Sequence, residues 1–203
     1  MKHQIRSRKQ RILWPVKFIL CVPHLILYFF SRNKKLIDED ITSWCKTLKV
    51  LYRNPIALTY YLSFYPELRT IFYYRIGFLS FIGAIILKPM PTSSIGTSGE
   101  IKGGMFFFHG FATSINPQYM GKNCMVWQMV TIGKSSDDSD LPILGDNVRV
   151  YTGSVVAGGV TIGDNSIIGA NTVILKDVPS NCTVVGSPPR IIVENGRKVS
   201  REL

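Results

Sequence analysis

A six-residue repeat restricts the fold of this 203-residue chain more than any other feature. From about residue 94 onward, helical spacing of apolar residues stops and a large apolar residue recurs at every sixth position. The residues that keep this spacing are Ile95, Ile101 and Phe107; Met120, Val126 and Ile132; and Leu144, Val150, Val156, Ile162, Ile168 and Ile174. A fixed short period indicates a stacked repeat architecture, in which each repeat covers the apolar residue of the next.

Two smaller regularities agree with this repeat. The position four after each large residue is small or β-branched, as at Cys124, Val130, Val148, Ser154, Val160, Ser166, Thr172 and Val178. Gly-x-Asn follows the large residue at 121–123, 145–147, 163–165 and 169–171, and both residue types tolerate left-handed turns. The pattern predicts a triangular coil of short strands, in which Cys124 and Cys182 point inward and have no chemical role.

Helical spacing is confined to the first half of the chain. A stripe of Ile37, Ile41, Trp44, Leu48 and Leu51 predicts a helix with Asp38, Glu39 and Asp40 in its first turn. A last helix is expected from Pro66 to about Leu87, before Pro89 and Pro91. The expected segments are a basic apolar segment at 1–35, a helical domain at 36–91, a β-helix at 92–193 and a tail at 194–203.

The first segment concentrates the positive charge of the chain. It holds nine of the 24 basic residues and no acidic one, whereas the other residues carry 15 basic and 13 acidic side chains. Residues 12–30 are mostly apolar, but Pro15, Lys17, Pro23 and His24 interrupt them. We expect a broken helix on an anionic membrane surface, with a spanning helix or a packed soluble helix as alternatives. Nucleic acid is not an expected partner, because no nucleic-acid-reading motif is present.

Several stretches resemble the hexapeptide-repeat acyltransferases, in the branch of serine acetyltransferases and of the similar surface-polysaccharide O-acetyltransferases. They are 65–77, 108–117 (FHGFATSINP), 130–134 (VTIGK) and 185–192 (VGSPPRII). The resemblance implies a mainly β fold, a left-handed parallel β-helix preceded by a small α-helical domain. It also implies acetyl-CoA as co-substrate and a homotrimer, possibly paired into a dimer of trimers, with active sites between subunits.

His109 is the candidate catalytic base. A hydroxyl needs a base to attack a thioester, and histidine is the usual choice because its unperturbed pKa is near 6.5. Of the three histidines, His109 alone lies in the repeat region, at a turn position of the hexad and in the stretch that resembles the family's catalytic coil. No metal is expected, since one histidine cannot supply the three zinc ligands of a hexapeptide-fold carbonic anhydrase.

The resemblance also suggests binding residues. For the acetyl-CoA co-substrate the candidates are Gly133, Lys134, Thr152, Gly153, Lys176 and Arg190. For the acceptor they are Ser94 and the acidic residues of a loop expected to overhang the site, Asp137, Asp138 and Asp140. Serine acetyltransferases carry an aspartate fifteen residues before the catalytic histidine and a second histidine in this loop. The corresponding positions here are Ser94 and about Leu141, so Ser94, Glu100 or a backbone carbonyl is expected to orient His109.

These departures decide the expected acceptor. We expect acetyl transfer to a hydroxyl of a surface-polysaccharide sugar, at the cytoplasmic face of the membrane. The first alternative is L-serine O-acetylation for cysteine synthesis. The second is a trimeric scaffold without catalytic activity.

Overall fold

The computed structural model describes residues 8–49 and 53–203, with side chains from residue 12 onward. The chain divides between residues 91 and 92 into a helical unit and a β-helix unit. The helices are α1 (Arg8–Phe30), α2 (Lys34–Leu48), α3 (Ile56–Phe64), α4 (Pro66–Ile76) and α5 (Ser80–Ile86), with a 3-10 turn at Gly77–Leu79.

Three details of the helices differ from the sequence expectations. Helix α1 is continuous through Pro15 and Pro23, since the rest of its hydrogen-bond ladder survives the loss of two donors. Helix α2 begins at Lys34, so Asp38–Asp40 lie beyond its first turn. The helix expected from Pro66 to Leu87 is interrupted at Gly77, which has a positive φ of 72° that ends α4. Leu51 lies outside the described residues.

Helix α1 packs within the helical unit, so the described residues of the segment 1–35 are part of that unit. Cys21, His24 and Tyr28 are buried at one stripe of α1. The Sγ atom of Cys21 donates to the carbonyl of Thr59 in α3 at 3.6 Å. Nε2 of His24 lies 2.8 Å from the hydroxyl of Tyr73 in α4. Burial lowers the pKa of His24, and its neutral ring suits this packed position.

A buried ion pair ties α2 to α4. Nε of Arg75 lies 2.9 Å from Oδ2 of Asp40, and both side chains are almost completely buried. Large apolar and aromatic residues of α2, α3 and α4 are buried in the same unit, including Trp44, Leu62 and Phe72. If one charge were removed, the other would remain unpaired in a low-dielectric interior. The pair therefore fixes the register between the two helices.

The β-helix unit contains β1 to β16. The strands are β1 (Ser93–Ile95), β2 (Glu100–Ile101), β3 (Phe106–Phe108), β4 (Thr113–Ile115), β5 (Tyr119–Met120), β6 (Met125–Trp127), β7 (Thr131–Gly133), β8 (Ile143–Leu144), β9 (Arg149–Val150), β10 (Val155–Ala157), β11 (Thr161–Ile162), β12 (Ile167–Ile168), β13 (Val173–Ile174), β14 (Cys182–Val185), β15 (Arg190–Glu194) and β16 (Arg197–Glu202). From β4 to β13 each strand pairs in parallel with the strand three places earlier in the chain, and β14 pairs in parallel with β12, which produces about five coils with three faces.

The three faces are three sheets. A five-stranded sheet has the order β1-β4-β7-β10-β13, and a four-stranded sheet has the order β11-β8-β5-β2. A seven-stranded sheet contains β3, β6, β9, β12 and β14, and then β15 and β16 added antiparallel. Residues 194–203 are therefore not a free tail, because β16 completes this sheet.

The repeat residues form the core as predicted. Large residues from Ile101 to Ile174 are buried at the hexad positions, and Ile95 is half-buried. The small positions are buried as well, including Cys124 and Cys182. Burial raises the pKa of the Cys124 thiol to about 12, so it remains protonated and unreactive at neutral pH.

Asparagines line one corner of the coils. Asn123, Asn147, Asn165 and Asn181 all have a φ between 57° and 59°. Their side-chain amides donate from one coil to the next, with distances of 3.0 Å from Asn147 to Asn165 and 3.1 Å from Asn165 to Asn181. The Gly-x-Asn motifs at 121–123, 145–147 and 163–165 are thus explained by left-handed turns and an amide ladder, whereas Asn171 takes a left-handed turn at another corner.

We expect Arg75→Ala to lower the free energy of unfolding of the helical unit by about 3–5 kcal/mol, because Asp40 stays buried without the guanidinium. Urea unfolding followed by circular dichroism measures this loss. The double variant Arg75→Met with Asp40→Leu should recover much of it. Equal stability of Arg75→Ala and the wild type would contradict this role of the pair.

Candidate active site

His109 lies at a corner of the β-helix. It follows β3 in the seven-stranded sheet and precedes β4 in the five-stranded sheet. Its side chain is exposed, as the hexad spacing predicts for a turn position. The imidazole contacts the ring of Phe108 edge-on, with 4.5 Å between ring centroids. The ring is therefore presented to solvent, where a substrate can reach it.

We call this region the histidine corner, which comprises residues 109–112, 128–129 and 151–153. His109, Ala112 and Met129 there have φ values of 58°, 48° and 60°. In the described part of the β-helix unit, every other residue with positive φ is asparagine or glycine. Alanine and methionine in this conformation are uncommon, and such residues cluster at functional sites. The backbone thus singles out the corner that also carries the candidate base.

Backbone hydrogen bonds align successive coils at the histidine corner. The N–H of Met129 donates to the carbonyl of Phe111 at 2.8 Å, and the N–H of Gly153 donates to the carbonyl of Gln128 at 3.1 Å. Thr152 and Gly153 consequently lie two coils beyond His109, or about 10 Å along the stack. Of the candidate cofactor residues, these two share a corner with His109.

The two candidate glycines have different explanations. A β-carbon at Gly153 would lie 2.2 Å from Oδ1 of Asn171, and Gly153 has a φ of 70°. The coil itself therefore requires glycine at this position. A β-carbon at Gly133 would meet nothing within 4 Å, so nothing in the chain's own packing requires glycine there. Gly133 remains the better candidate for close approach of a ligand.

The basic candidates lie away from the histidine corner. Lys134 and Lys176 follow β7 and β13, at the opposite edge of the five-stranded sheet from His109. Nζ of Lys134 donates to the carbonyl of Asp137 at 2.7 Å, and that of Lys176 to the carbonyl of Leu203 at 3.3 Å. Arg190 is exposed on β15, in the seven-stranded sheet.

Within one chain the acidic loop does not lie at the histidine corner. Residues 134–142 join β7 to β8, so Asp137, Asp138 and Asp140 lie at the edge of the five-stranded sheet that is opposite His109 in the same chain. The loop folds back on itself through the hydroxyl of Ser139, which accepts the N–H of Ser135 at 2.8 Å. Hexad counting placed the loop after the catalytic coil without assigning it to a corner.

The residues expected to orient His109 have other partners. The hydroxyl of Ser94, on β1, donates to that of Ser114 at 3.2 Å. Glu100 lies in the four-stranded sheet, and its carboxylate is 2.5 Å from Nζ of Lys102. Neither side chain hydrogen-bonds to the imidazole of His109 within this chain. In the part of the chain that the structure describes, no group of three His, Cys, Asp or Glu residues is arranged to hold a metal ion.

Sequence reasoning missed two features beside His109. Phe108, Trp127 and Tyr151 form an aromatic ladder on the outer side of the seven-stranded sheet. Ring centroids are 5.6 Å apart for Phe108 and Trp127 and 4.2 Å apart for Trp127 and Tyr151, with nearly parallel planes. Oε1 of Gln128 is buried and has no hydrogen-bond partner among the described residues. The signal for the ladder was an aromatic residue directly after the large hexad residue in three successive coils.

Comparisons with known proteins agree with this architecture. Residues 142–176 match the family described as bacterial transferase hexapeptide (six repeats). Serine acetyltransferases of Bacillus pumilus and Bacillus subtilis are 32% and 31% identical over 183 residues, which cover 83% of this chain and 82% of each relative.

Solved structures give the same result for the fold. Neisseria gonorrhoeae serine acetyltransferase superimposes with a TM-score of 0.64 at 22% identity, over 83% of this chain and 67% of that one. A Brucella abortus serine acetyltransferase in complex with coenzyme A gives 0.62 at 21% identity, over 80% and 68%. Identity of 32% across four fifths of both chains shows more than the fold: this chain belongs to the serine acetyltransferase family of hexapeptide-repeat acyltransferases.

Proposed function

We propose that the protein transfers an acetyl group from acetyl-CoA to the hydroxyl of L-serine, with His109 as the general base. The observation that carries this proposal is the 32% identity to a serine acetyltransferase over four fifths of both chains. This similarity favours serine over the surface-polysaccharide sugar that sequence reasoning preferred. The O-acetyltransferase activity itself is common to both acceptors.

The chemistry requires a base with access to solvent. An imidazole nitrogen of His109 takes the proton of the acceptor hydroxyl, whose oxygen attacks the thioester carbonyl carbon. The carbon–sulfur bond then breaks, and the leaving thiolate of CoA takes the proton from the imidazolium. The exposed position of His109 suits this role, because both substrates must reach the same ring.

Acetyl-CoA fits along the coils that follow the catalytic one. Thr152 lies at the histidine corner about two coils beyond His109, and Gly133 offers an open backbone at the other edge of the sheet. Lys176 and Arg190 are exposed near the last coils, where they are available to CoA phosphates.

A homotrimer would bring the separated parts of the site together. Phe111 and Met129, at the histidine corner, are 53% and 56% exposed, and such apolar side chains suit a subunit interface. The acidic loop lies at the opposite edge of the five-stranded sheet. In a threefold assembly the loop of one subunit would face His109 of the next, and its carboxylates would pair with the ammonium of serine.

A surface-glycan hydroxyl is the second candidate acceptor. Ser94 and Leu141 are uncharged where the family carries an aspartate and a histidine, so this part of the site cannot pair the two charges of serine. The aromatic ladder ends beside His109. The flat, polarisable face of such a ladder suits the C–H groups of a sugar ring, which carries no charge to compensate.

We expect His109→Asn to lower kcat at least about a hundredfold without loss of fold, because the general base is removed. Asparagine already occupies the left-handed conformation at six positions of this unit, so this variant tests the base more cleanly than His109→Ala. Release of CoA measured with a thiol reagent gives kcat, and circular dichroism checks the fold. Near wild-type kcat in a folded His109→Asn protein would exclude His109 as the base.

The acceptor is tested with L-serine against neutral methyl glycosides in the same CoA-release assay. We expect saturable turnover with L-serine and a kcat/KM at least about tenfold above that for any glycoside, because a selective pocket pairs the charges of serine. L-Serinamide, which lacks the carboxylate, is the matched control and should react poorly. A glycoside that reacts faster than L-serine would replace serine by the sugar acceptor.

The variant Trp127→Ala tests whether the acceptor is serine or a sugar that stacks on the aromatic ladder. With serine as acceptor, kcat/KM should change less than about threefold, since the ladder holds no charged group. With a sugar acceptor, loss of the central ring should lower kcat/KM about tenfold, and Trp127→Phe should restore most of it. Equal losses in the Ala and Phe variants would show that neither acceptor stacks on this ladder.

A further inference from the structure

An extended apolar surface lies on the helical unit. Helix α1 buries only a narrow stripe, and most of its other large apolar residues are exposed. The 3-10 turn and α5 are similar, since Gly83 is the only buried residue of Gly77–Ile86. The most exposed side chains are Phe30 at 86%, Phe78 at 88% and Ile85 at 77%. A helix that is apolar on all sides needs more cover than α1 and α5 receive here.

Helices α1 and α5 lie directly against each other. A β-carbon at Gly83 would come within 2.9 Å of Nε2 of His24 and of the Tyr73 ring, so the absence of a side chain permits this contact. Both helices of this contact carry exposed apolar residues. We call these exposed side chains together the apolar face and define it by Ile19, Ile26, Phe30, Phe78, Phe81 and Ile85. Exposed apolar residues in such number on two neighbouring helices indicate a binding surface.

Charge around the apolar face has one sign. Residues 76–87, which include α5, contain no charged side chain, and the segment 1–35 contains nine cations and no acid. Arg32 and Lys35 are exposed directly after Phe30. Two copies that met through this face would bring these cations together, whereas an anionic surface would pair with them. Charge complementarity therefore selects an anionic surface over a second copy.

We propose that the apolar face binds the surface of an anionic lipid bilayer, with its aromatic and aliphatic side chains at the acyl boundary and Arg32 and Lys35 on the headgroups. This assignment is independent of which hydroxyl is acetylated. It extends the expected membrane contact from the first segment to α5. Helix α1 lies on the bilayer and does not cross it, because Cys21 and His24 hold it to α3 and α4.

The test is co-sedimentation of the full chain with vesicles of three parts phosphatidylcholine to one part phosphatidylglycerol. We expect binding that falls as salt rises, since exposed charges are screened over about 10 Å at 0.1 M salt. Vesicles of phosphatidylcholine alone should bind the protein at least about tenfold more weakly, because several cations contribute to attraction by anionic lipid. Equal binding to both vesicles would overturn the proposal, and so would no binding to either.

Two sets of variants separate the apolar contribution to vesicle binding from the electrostatic one. Phe78→Ser with Ile85→Ser should weaken vesicle binding about tenfold or more, because less apolar area enters the bilayer. Leu175→Ser, an exposed apolar residue of the β-helix unit, is the matched control and should bind as the wild type does. Arg32→Gln with Lys35→Gln should lose the preference for phosphatidylglycerol, whereas Arg197→Gln with Lys198→Gln should keep it. These charge variants alter exposed positions and test the proposal even if the apolar pair fails to fold.

Two results would assign the face differently. A smaller assembly of the Phe78→Ser, Ile85→Ser variant in light scattering, with unchanged vesicle binding, would make the face an interface between copies. Retention of the wild type on vesicles that salt leaves unchanged and only detergent reverses would make α1 a spanning helix. Either result would contradict binding at the bilayer surface.

Discussion

The β-helix depends on the inward stacking of one large and one small residue in every hexad. Six consecutive large residues from Leu144 to Ile174 are completely buried, and their strands pair coil on coil in parallel. A slip of one residue would turn these side chains outward on every face. Insertions are therefore tolerated only at corners, as at residues 134–142, after which Ile143 and Leu144 resume the register. Function must occupy the corners and the outward positions, because the inward ones are fixed by packing.

This constraint explains which predictions from sequence succeeded. The period of six reports burial directly, so the core positions and the inward cysteines followed from counting. The same count placed His109 at a turn, since it follows Phe107 by two. Features that depend on neighbouring coils did not follow. To predict the aromatic ladder, one must know that three successive coils are in register. To predict the corner at which the acidic loop lies, one must know how many faces of the coil separate His109 from Lys134.

Helix boundaries show a second limit of sequence reasoning. Prolines within residues 12–30 predict a break, yet α1 is continuous, because the rest of its hydrogen-bond ladder survives and the helix packs on α3. Sequence spacing predicts one long helix through Gly77, yet the positive φ of Gly77 ends α4. Propensity is a weak guide where tertiary contacts decide. The ion pair of Asp40 and Arg75 is such a contact. The two residues are 35 positions apart, and their spacing in the sequence does not predict that they meet.

The backbone conformation of the histidine corner shows whether folding alone explains the residue types found there. At the opposite end of the seven-stranded sheet, four of the left-handed corner residues, Asn123, Asn147, Asn165 and Asn181, are asparagine. Amide hydrogen bonds join Asn147 to Asn165 and Asn165 to Asn181. Asparagine thus gives such a corner both its conformation and a hydrogen bond. At the histidine corner, His109, Ala112 and Met129 adopt similar φ values, and the side chains of Ala112 and Met129 have no polar group to form such a ladder. Folding alone would favour asparagine here as well, so these residues are better explained by what approaches the corner from outside the chain.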